Sequence, residues 1–521
     1  MAKRHERTLA RRMAVQVLYE GEITDTLASE IVLRPDAVPD GGALPAYAVS
    51  LVEGVCAHRV AIDNKIAAAS ENWSVDRMPL VDRAIMRLAV FEMTHCDDVP
   101  LSVSINEAVE LAKEFKTPLY VMDQELIETT IDKMKEAFKS SRFGTQIAYA
   151  GKAFLTTGMA KLVEKKGLEL DVVSGGELYT AYKAGFPMNR VHMHGNNKTY
   201  EELEMAVDYG IKEIVIDNED EIEKIEKICK EKGKKQAVLI RIDPGIEAHT
   251  HSYIKTSGLT SKFGISLFQA NLFDIVKRIN NSQYLDFRGF HTHIGSQIFQ
   301  SVFFIFALEE IFKYLDKLKK ELGIVVHTVN MGGGFGVYYK EGDDPKPIEE
   351  VLKEIITYTE AMEIKYQIGF SELNIEPGRS IVGNAGTTLY TVGGIKETVG
   401  GKKYVFVDGG MSDNIRTALY QAEYEAGIVN KLEEKAEDEV TVAGKLCESG
   451  DILIQKGKLQ KAEIGDILAI TTTGAYCYTM SSNYNRMIKP AVVFVKDGKA
   501  KVAVKRETGD DLIRNDEIFE L

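Results

Sequence analysis

Lys152 closes the apolar run QIAYAGK, and a lysine at the end of a strand can form a Schiff base with an aldehyde. At the end of another apolar run, EPGRS (Glu376 to Ser380) brings a carboxylate close to a guanidinium. Glu376 there suits a protonated ring nitrogen and Arg379 an anionic group; a turn held by an ion pair is the plainer reading. MGGGFG (Met331 to Gly336) offers backbone that can approach a phosphate closely. It matches neither G-x-G-x-x-G nor the P-loop, so dinucleotides and nucleoside triphosphates lose support. FHTHIGSQ places His291 and His293 at i, i+2, on one face of a strand. With no carboxylate or cysteine at a zinc-site spacing nearby, no metal is assigned. A histidine stacked on an aromatic cofactor, with Ser296 donating to phosphate, fits the remaining motifs better. In CESGD (Cys447 to Asp451) a cysteine stands beside acids in a glycine-containing loop, either a proton donor or a buried structural thiol. GAYCYTMSSNYN (Gly474 to Asn485) is a second loop of this kind.

A repeating frame carries these residues. Eight short apolar runs (QIAYAGK, ELDVVSG, RVHMHGN, EIVIDN, AVLIRID, FRGFHTHIGS, TVNMGGGF and ELNIEPG) alternate with Lys/Glu-rich amphipathic helices over residues 146–385. That is the count and length of a (β/α)8 TIM-type barrel. Lys152, Ser174, His194, Asp217, Asp243, His293, Gly332 to Gly334 and Glu376 to Arg379 fall at the C-terminal strand ends, the rim where such barrels place their chemistry. An open doubly wound sheet is the competing arrangement. Residues 386–521 read as an all-β domain of strands and hairpin turns. Residues 118–145 hold a lead-in strand, PLYVMD, and a helix striped by Ile127, Ile131, Met134 and Phe138. Residues 1–117 are helical throughout and end in a stripe of Ala108, Leu111, Ala112 and Phe115 at i, i+3, i+4, i+7.

The 521 residues contain 45% hydrophobic and 27% charged side chains, enough apolar material for several cores. A net charge of −14 argues against a surface that coats nucleic acid or an anionic membrane. Five scattered cysteines without a C-x-x-C pair argue against a disulfide scaffold or zinc ribbon. Neither a signal-peptide core nor a membrane span is legible, and a cytoplasmic protein is expected.

HIGSQ, GGGFG, EPGR, CESGD and GAYCYTMSSNYN, in this order, resemble the diaminopimelate decarboxylases from about Pro118 to the C-terminus. That family combines an alanine-racemase-like barrel, pyridoxal 5'-phosphate and a C-terminal β-domain. The resemblance implies that Lys152 holds the cofactor covalently and that His293 stacks on its ring. It puts Ser296, Gly334, Pro377, Gly378 and Tyr476 near the phosphate or ring, and pairs Glu376 with the pyridine nitrogen. Arg379, Arg416, Tyr420, Glu448 and Tyr476 would bind substrate, and Cys447 would donate a proton. It further implies decarboxylation of meso-2,6-diaminopimelate to L-lysine by a homodimer in which Cys447 and Glu448 serve the other subunit's site. A decarboxylase of another basic amino acid is the nearest alternative. One departure stands out: the family usually reads YAxKAN at its lysine, and this chain reads YAGKAF. Gly151 is expected to loosen the strand end, and Phe154 to remove an amide from a polar rim.

RHERTLARRMAVQVLYE, RMPLVDRAIMRLAVFEM and DDVPLSVSINEAVELAKEF resemble the NusB family of transcription antitermination factors, with the final helix missing at the join. Family members bind a short RNA and a small ribosomal protein. Arg4, Arg7 and Arg11 share a helical face that could meet phosphates, although residues 1–117 carry more acid than base. The different-class alternative is therefore an RNA-binding antitermination factor with a passive barrel.

Overall fold

Among the described residues of the first hundred, apolar positions at helical spacing build four helices: α1 (Ala2–Thr24), α2 (Ala28–Ile31), α3 (Ala46–Ala69) and α4 (Leu80–His95). The computed structural model describes residues 2–24, 26–32, 34, 44–69, 80–95, 102–246, 261–432 and 434–520. Ala10, Ala14 and Val17 of α1 meet Ile31 of α2, Leu51, Val55 and Ile62 of α3, and Leu88 and Phe91 of α4 in one core. A Cβ at Gly54 would come within 1.9 Å of the Phe91 ring, so α3 and α4 pack with nothing between them. Arg87, 5% exposed, forks onto Asp63 at 2.6 and 2.8 Å and reaches Glu22 at 2.8 Å, tying α1, α3 and α4 together. This unit comprises Met1–Ser104, and Ile105–Leu521 form a second.

Helix α5 (Ser102–Phe115) is followed by β1 (Leu119–Asp123) and α6 (Gln124–Ala137). The barrel then takes β2 (Gly144–Ala150), β3 (Glu169–Val172), β4 (Val191–Met193), β5 (Glu213–Ile216), β6 (Gln236–Asp243), β8 (Leu285–His291), β9 (Thr328–Asn330) and β10 (Glu372–Ile375), with a two-residue β7 (Ile265–Ser266) beside β6. All eight barrel strands pair in parallel, and the β5–β6 pairing closes the ring. This is the closed barrel rather than the open sheet. Central strands such as Glu213–Ile216 are buried at every position, as a parallel sheet covered by helices requires. Ile127, Ile131 and Met134 of α6 pack into this core.

The β-domain comprises β11 (Gly386–Glu397), β12 (Lys403–Val407), β13 (Ala426–Ile428), β14 (Asp438–Ala443), β15 (Ile452–Leu459), β16 (Ile467–Ile470), β17 (Ala491–Lys496) and β18 (Lys499–Val504). β1 is inserted in its middle, antiparallel to β11 and parallel to β17. Because strand side chains alternate, Tyr120 and Met122 enter the main core. Leu119 and Val121 face the other way, where Ala108, Leu111 and Ala112 of α5 meet them with Leu389, Ala491 and Val493. The change of texture at 117 is thus not where packing divides the chain. The stripe on α5 finds its apolar partners on the β-sheet, so from Ile105 onward the helix belongs to the second unit.

Candidate active site

Lys152 lies in a single 3-10 turn, Gly151–Ala153, directly after β2. Its turn is bound to a β-domain loop: Tyr476 N–H donates to the Ala153 carbonyl at 2.8 Å and Thr479 Oγ1 to the Lys152 carbonyl at 3.2 Å. Gly151 and Phe154 of YAGKAF both behave differently from expectation. A Cβ at Gly151 would sit 2.9 Å from the Asp171 carbonyl oxygen, so the glycine permits close packing on β3. Phe154 is 1% exposed and meets Tyr478 edge-on, ring centroids 5.6 Å apart, and Phe494 at 6.1 Å. It points into an aromatic cluster, away from the polar rim, because the backbone is extended again after the turn.

On the strand next to that of Lys152, β10, the chain ends at Glu376, on which other strand ends converge. Its Oε1 accepts from Asn330 Nδ2 at 2.8 Å and its Oε2 from His291 Nε2 at 2.9 Å. His194 Nε2 stands 2.9 Å from Oε1 and 3.6 Å from Asp171 Oδ1, aligned for a hydrogen bond to neither. Burial alone would raise the Glu376 pKa, but His194 and His291 outweigh it and hold the carboxyl well below its usual range. Burial pushes His291 down to about 4, so this ring is neutral and donates through Nε2, which leaves Nδ1 unpartnered. Burial raises Asp171, and lifts Glu177, whose carboxylate accepts from Val173 N–H at 2.8 Å, to about 7. His291 and His293 do not share a strand face, because β8 ends at His291. His293 lies in the following loop, where its Nδ1 accepts from Gly333 N–H at 3.2 Å. Burial, then Lys152 and Arg241, hold its pKa well below the ordinary value. The carboxylate missing from the sequence neighbourhood of the histidines arrives from β10, two strands along the ring from β8. His194, His291 and Glu376 have ligand atoms within 4.8 Å of one another, a spacing that could also hold a metal ion.

Glycine backbone forms the adjoining wall. Gly334 has φ +103°, and a Cβ there would meet the Gly295 carbonyl oxygen at 2.2 Å; one at Gly378 would meet Ala150 and Ala153 at 3.0 Å. Arg379 Nη2 donates to Ser296 Oγ at 3.0 Å, and its Nη1 donates to the Tyr339 hydroxyl. Pro377 accepts from Ala150 N–H at 3.1 Å, locking EPGR to the lysine strand. The Tyr476 ring has Arg379 at 4.8 Å and Arg416 at 5.3 Å from its centroid. Arg416 Nε also donates to Tyr424 Oη at 2.9 Å, and its guanidinium lies 5.4 Å from the exposed Tyr420 ring. Cys447 and Glu448 are exposed and held by another turn: Cys447 N–H donates to Asn485 Oδ1 at 2.9 Å, and Tyr484 Oη to Glu448 Oε2 at 3.1 Å.

Reading motifs found Lys152, His293, Glu376 and Arg379 but gave no role to Asp171, Glu177, His194, Asn330, Arg241, Tyr339 or Tyr424. His194 had one signal, its place at a strand end; Asn330 had only its position just before the glycine run. Arg4, Arg7 and Arg11 ride on α1, but their side chains lie outside the described residues. No described helix is long and apolar enough to cross a membrane.

Residues 124–383 match the pyridoxal-dependent decarboxylase family, pyridoxal binding domain, and residues 8–120 match the NusB family. A diaminopimelate decarboxylase of Bacillus subtilis is 49% identical over 410 residues, 79% of this chain and 93% of that one. Among solved structures, diaminopimelate decarboxylase from M. jannaschii in co-complex with L-lysine is 34% identical with a TM-score of 0.73, covering 79% of this chain and 94% of that one. The Helicobacter pylori enzyme complexed with L-lysine is 32% identical with a TM-score of 0.70, covering 78% and 98%.

Proposed function

The chain belongs to the diaminopimelate decarboxylases, and we propose that it converts meso-2,6-diaminopimelate to L-lysine and carbon dioxide with pyridoxal phosphate as cofactor. The observation that carries this reading is that Lys152 and Glu376 both act on buried Asp171 at the barrel rim, while Arg379 and Arg416 flank the Tyr476 ring beside it. The residues fit the cofactor. An amine, a charged carboxylate, a neutral imidazole and a wall that a Cβ would block are what a pyridine aldehyde phosphate needs. Lys152 would hold the aldehyde carbon, Glu376 the ring nitrogen and His293 the ring face. Gly334, Gly378 and Ser296 would line the phosphate.

Pyridoxal phosphate, when bound, supplies the ring that draws off the electron pair left on Cα as the carboxylate departs. Glu376, kept ionised, holds a proton on the ring nitrogen and so sustains that withdrawal. Arg379, Arg416 and Tyr420 bind the ends of the substrate, and two separated guanidiniums suit a molecule with two carboxylates. Lys152 would supply the amine that holds the aldehyde between turnovers. A thiol proton from Cys447 replaces the lost carboxylate on Cα.

Cys447 and Glu448, exposed and held by Tyr484 and Asn485, support a homodimer in which they complete the partner's site. Mixing Lys152→Ala with Cys447→Ala protein tests both ideas together. Recovered lysine formation supports a shared site, and two inactive variants that stay inactive when mixed, although dimeric by ultracentrifugation, count against it. For the reaction itself, lysine formed from meso-diaminopimelate and lost in Lys152→Ala is the decisive assay; absence of lysine from a fully loaded enzyme refutes the reading.

A further inference from the structure

An ionised carboxylate offers about four acceptor positions, two on each oxygen. On Glu376 two are engaged, by Asn330 Nδ2 at Oε1 and His291 Nε2 at Oε2, and His194 Nε2 stands 2.9 Å from Oε1 without the alignment of a hydrogen bond. All four side chains are buried, at 0 to 5% exposure, so water does not compete for these positions. The four side chains come from four different strand ends: β4 for His194, β8 for His291, β9 for Asn330 and β10 for the acceptor Glu376. Asn330 is itself fixed, since its Oδ1 accepts from Gly332 N–H at 2.8 Å, which turns its amide donor to Glu376. The other charged or titratable groups acting on this centre are Asp171, Arg241, His293 and Lys152.

We propose that His291 and Asn330 are positioning residues that hold Glu376, one donor on each oxygen, as a charged acceptor for the cofactor's ring nitrogen, with His194 packed beside Oε1. This rests on the pyridoxal phosphate reading above and names what makes its glutamate effective. Donors to the carboxylate lower its basicity. A proton shared between Glu376 and the ring nitrogen therefore resides on the nitrogen. Remove a donor, and the carboxylate claims the proton. The ring then loses its charge and with it the capacity to withdraw electrons from Cα. A role in packing alone would alter folding or loading and leave the proton where it was.

The test uses full-length protein loaded with pyridoxal phosphate carrying nitrogen-15 in the ring, whose NMR shift reports protonation of that nitrogen. Wild-type protein is expected to give the protonated shift, and Glu376→Gln the unprotonated one as a reference. His291→Phe, which keeps a ring and loses the donor, and Asn330→Leu should each move toward that reference. His291→Gln, which restores a donor, should move back. Beside this, kcat should fall about tenfold in the donor-less variants while KM holds. If the loaded fractions of His291→Phe and Asn330→Leu both retain the wild-type shift, the proposal is overturned, whatever their melting temperatures. If wild-type protein neither loads the cofactor nor forms lysine, the underlying functional reading fails instead, and the two failures are told apart by that control.

Discussion

Leu111→Ala removes three carbons from the stripe that α5 lays on the β-sheet. Leu111 is 8% exposed, and the surface it covers is apolar, with Leu119, Leu389 and Val493 at 0 to 1%. At about 0.8 kcal/mol per buried methylene the transfer loss is about 2.4 kcal/mol. A surface helix can settle partly into the gap, so the cavity adds little and the cost stays near 2 to 3 kcal/mol, roughly the floor for buried leucine truncation. The assay must distinguish the two units. The only tryptophan, Trp73, lies in sequence within residues 1–104, whereas the absorption of bound pyridoxal phosphate would report on the second unit. In urea, Leu111→Ala is expected to bring the cofactor transition to lower denaturant and leave the tryptophan transition in place. Glu110→Ala, at a solvent-facing position of the same helix, should move neither by more than about 0.5 kcal/mol. A chain beginning at Ile105 keeps the cover and should match the full-length cofactor transition; one beginning at Pro118 should unfold earlier. If Leu111→Ala shifts the tryptophan signal alone, α5 serves the helical unit and the packing argument is wrong.

Lys152→Ala should abolish lysine formation and leave pyridoxal phosphate removable by gel filtration, since no amine remains at that position to hold the aldehyde. Phe154→Asn, which restores the usual family residue, should cost about 3 kcal/mol in unfolding experiments, because it buries an amide where Tyr478 and Phe494 now pack an aromatic ring. It should bring no gain in kcat. His192 lies between Glu169 at 2.6 Å and Glu213 at 3.1 Å; burial opposes its charge, but the two carboxylates prevail and push its pKa up to about 10. With an unfolded value of about 6.5, its contribution is complete below that pH and disappears as pH rises toward 10. Urea midpoints of the wild type should therefore fall across that window more steeply than those of His192→Asn, and parallel curves would remove His192 as the cause.

Much of this protein was legible residue by residue. Eight apolar runs with polar ends named the barrel, since a strand buried on both faces must be apolar along its length and can carry chemistry only where it stops. Lys152, Glu376 and Arg379 stood out because they sit at such ends and their chemistry is specific. Closure of the sheet decided the rest. His194, His291, Asn330 and Glu376 are scattered through the sequence, and nothing in their local patterns says that their side chains meet; register around a ring of eight strands puts them together, and burial turns proximity into a fixed charge. Phe154 looked like a missing amide on a polar rim until the turn after Lys152 directed it into an aromatic cluster. For α5, the spacing of Ala108, Leu111 and Ala112 determined that one face would be buried. Only tertiary packing decided against what, because an apolar stripe specifies a need for cover and not the surface that supplies it.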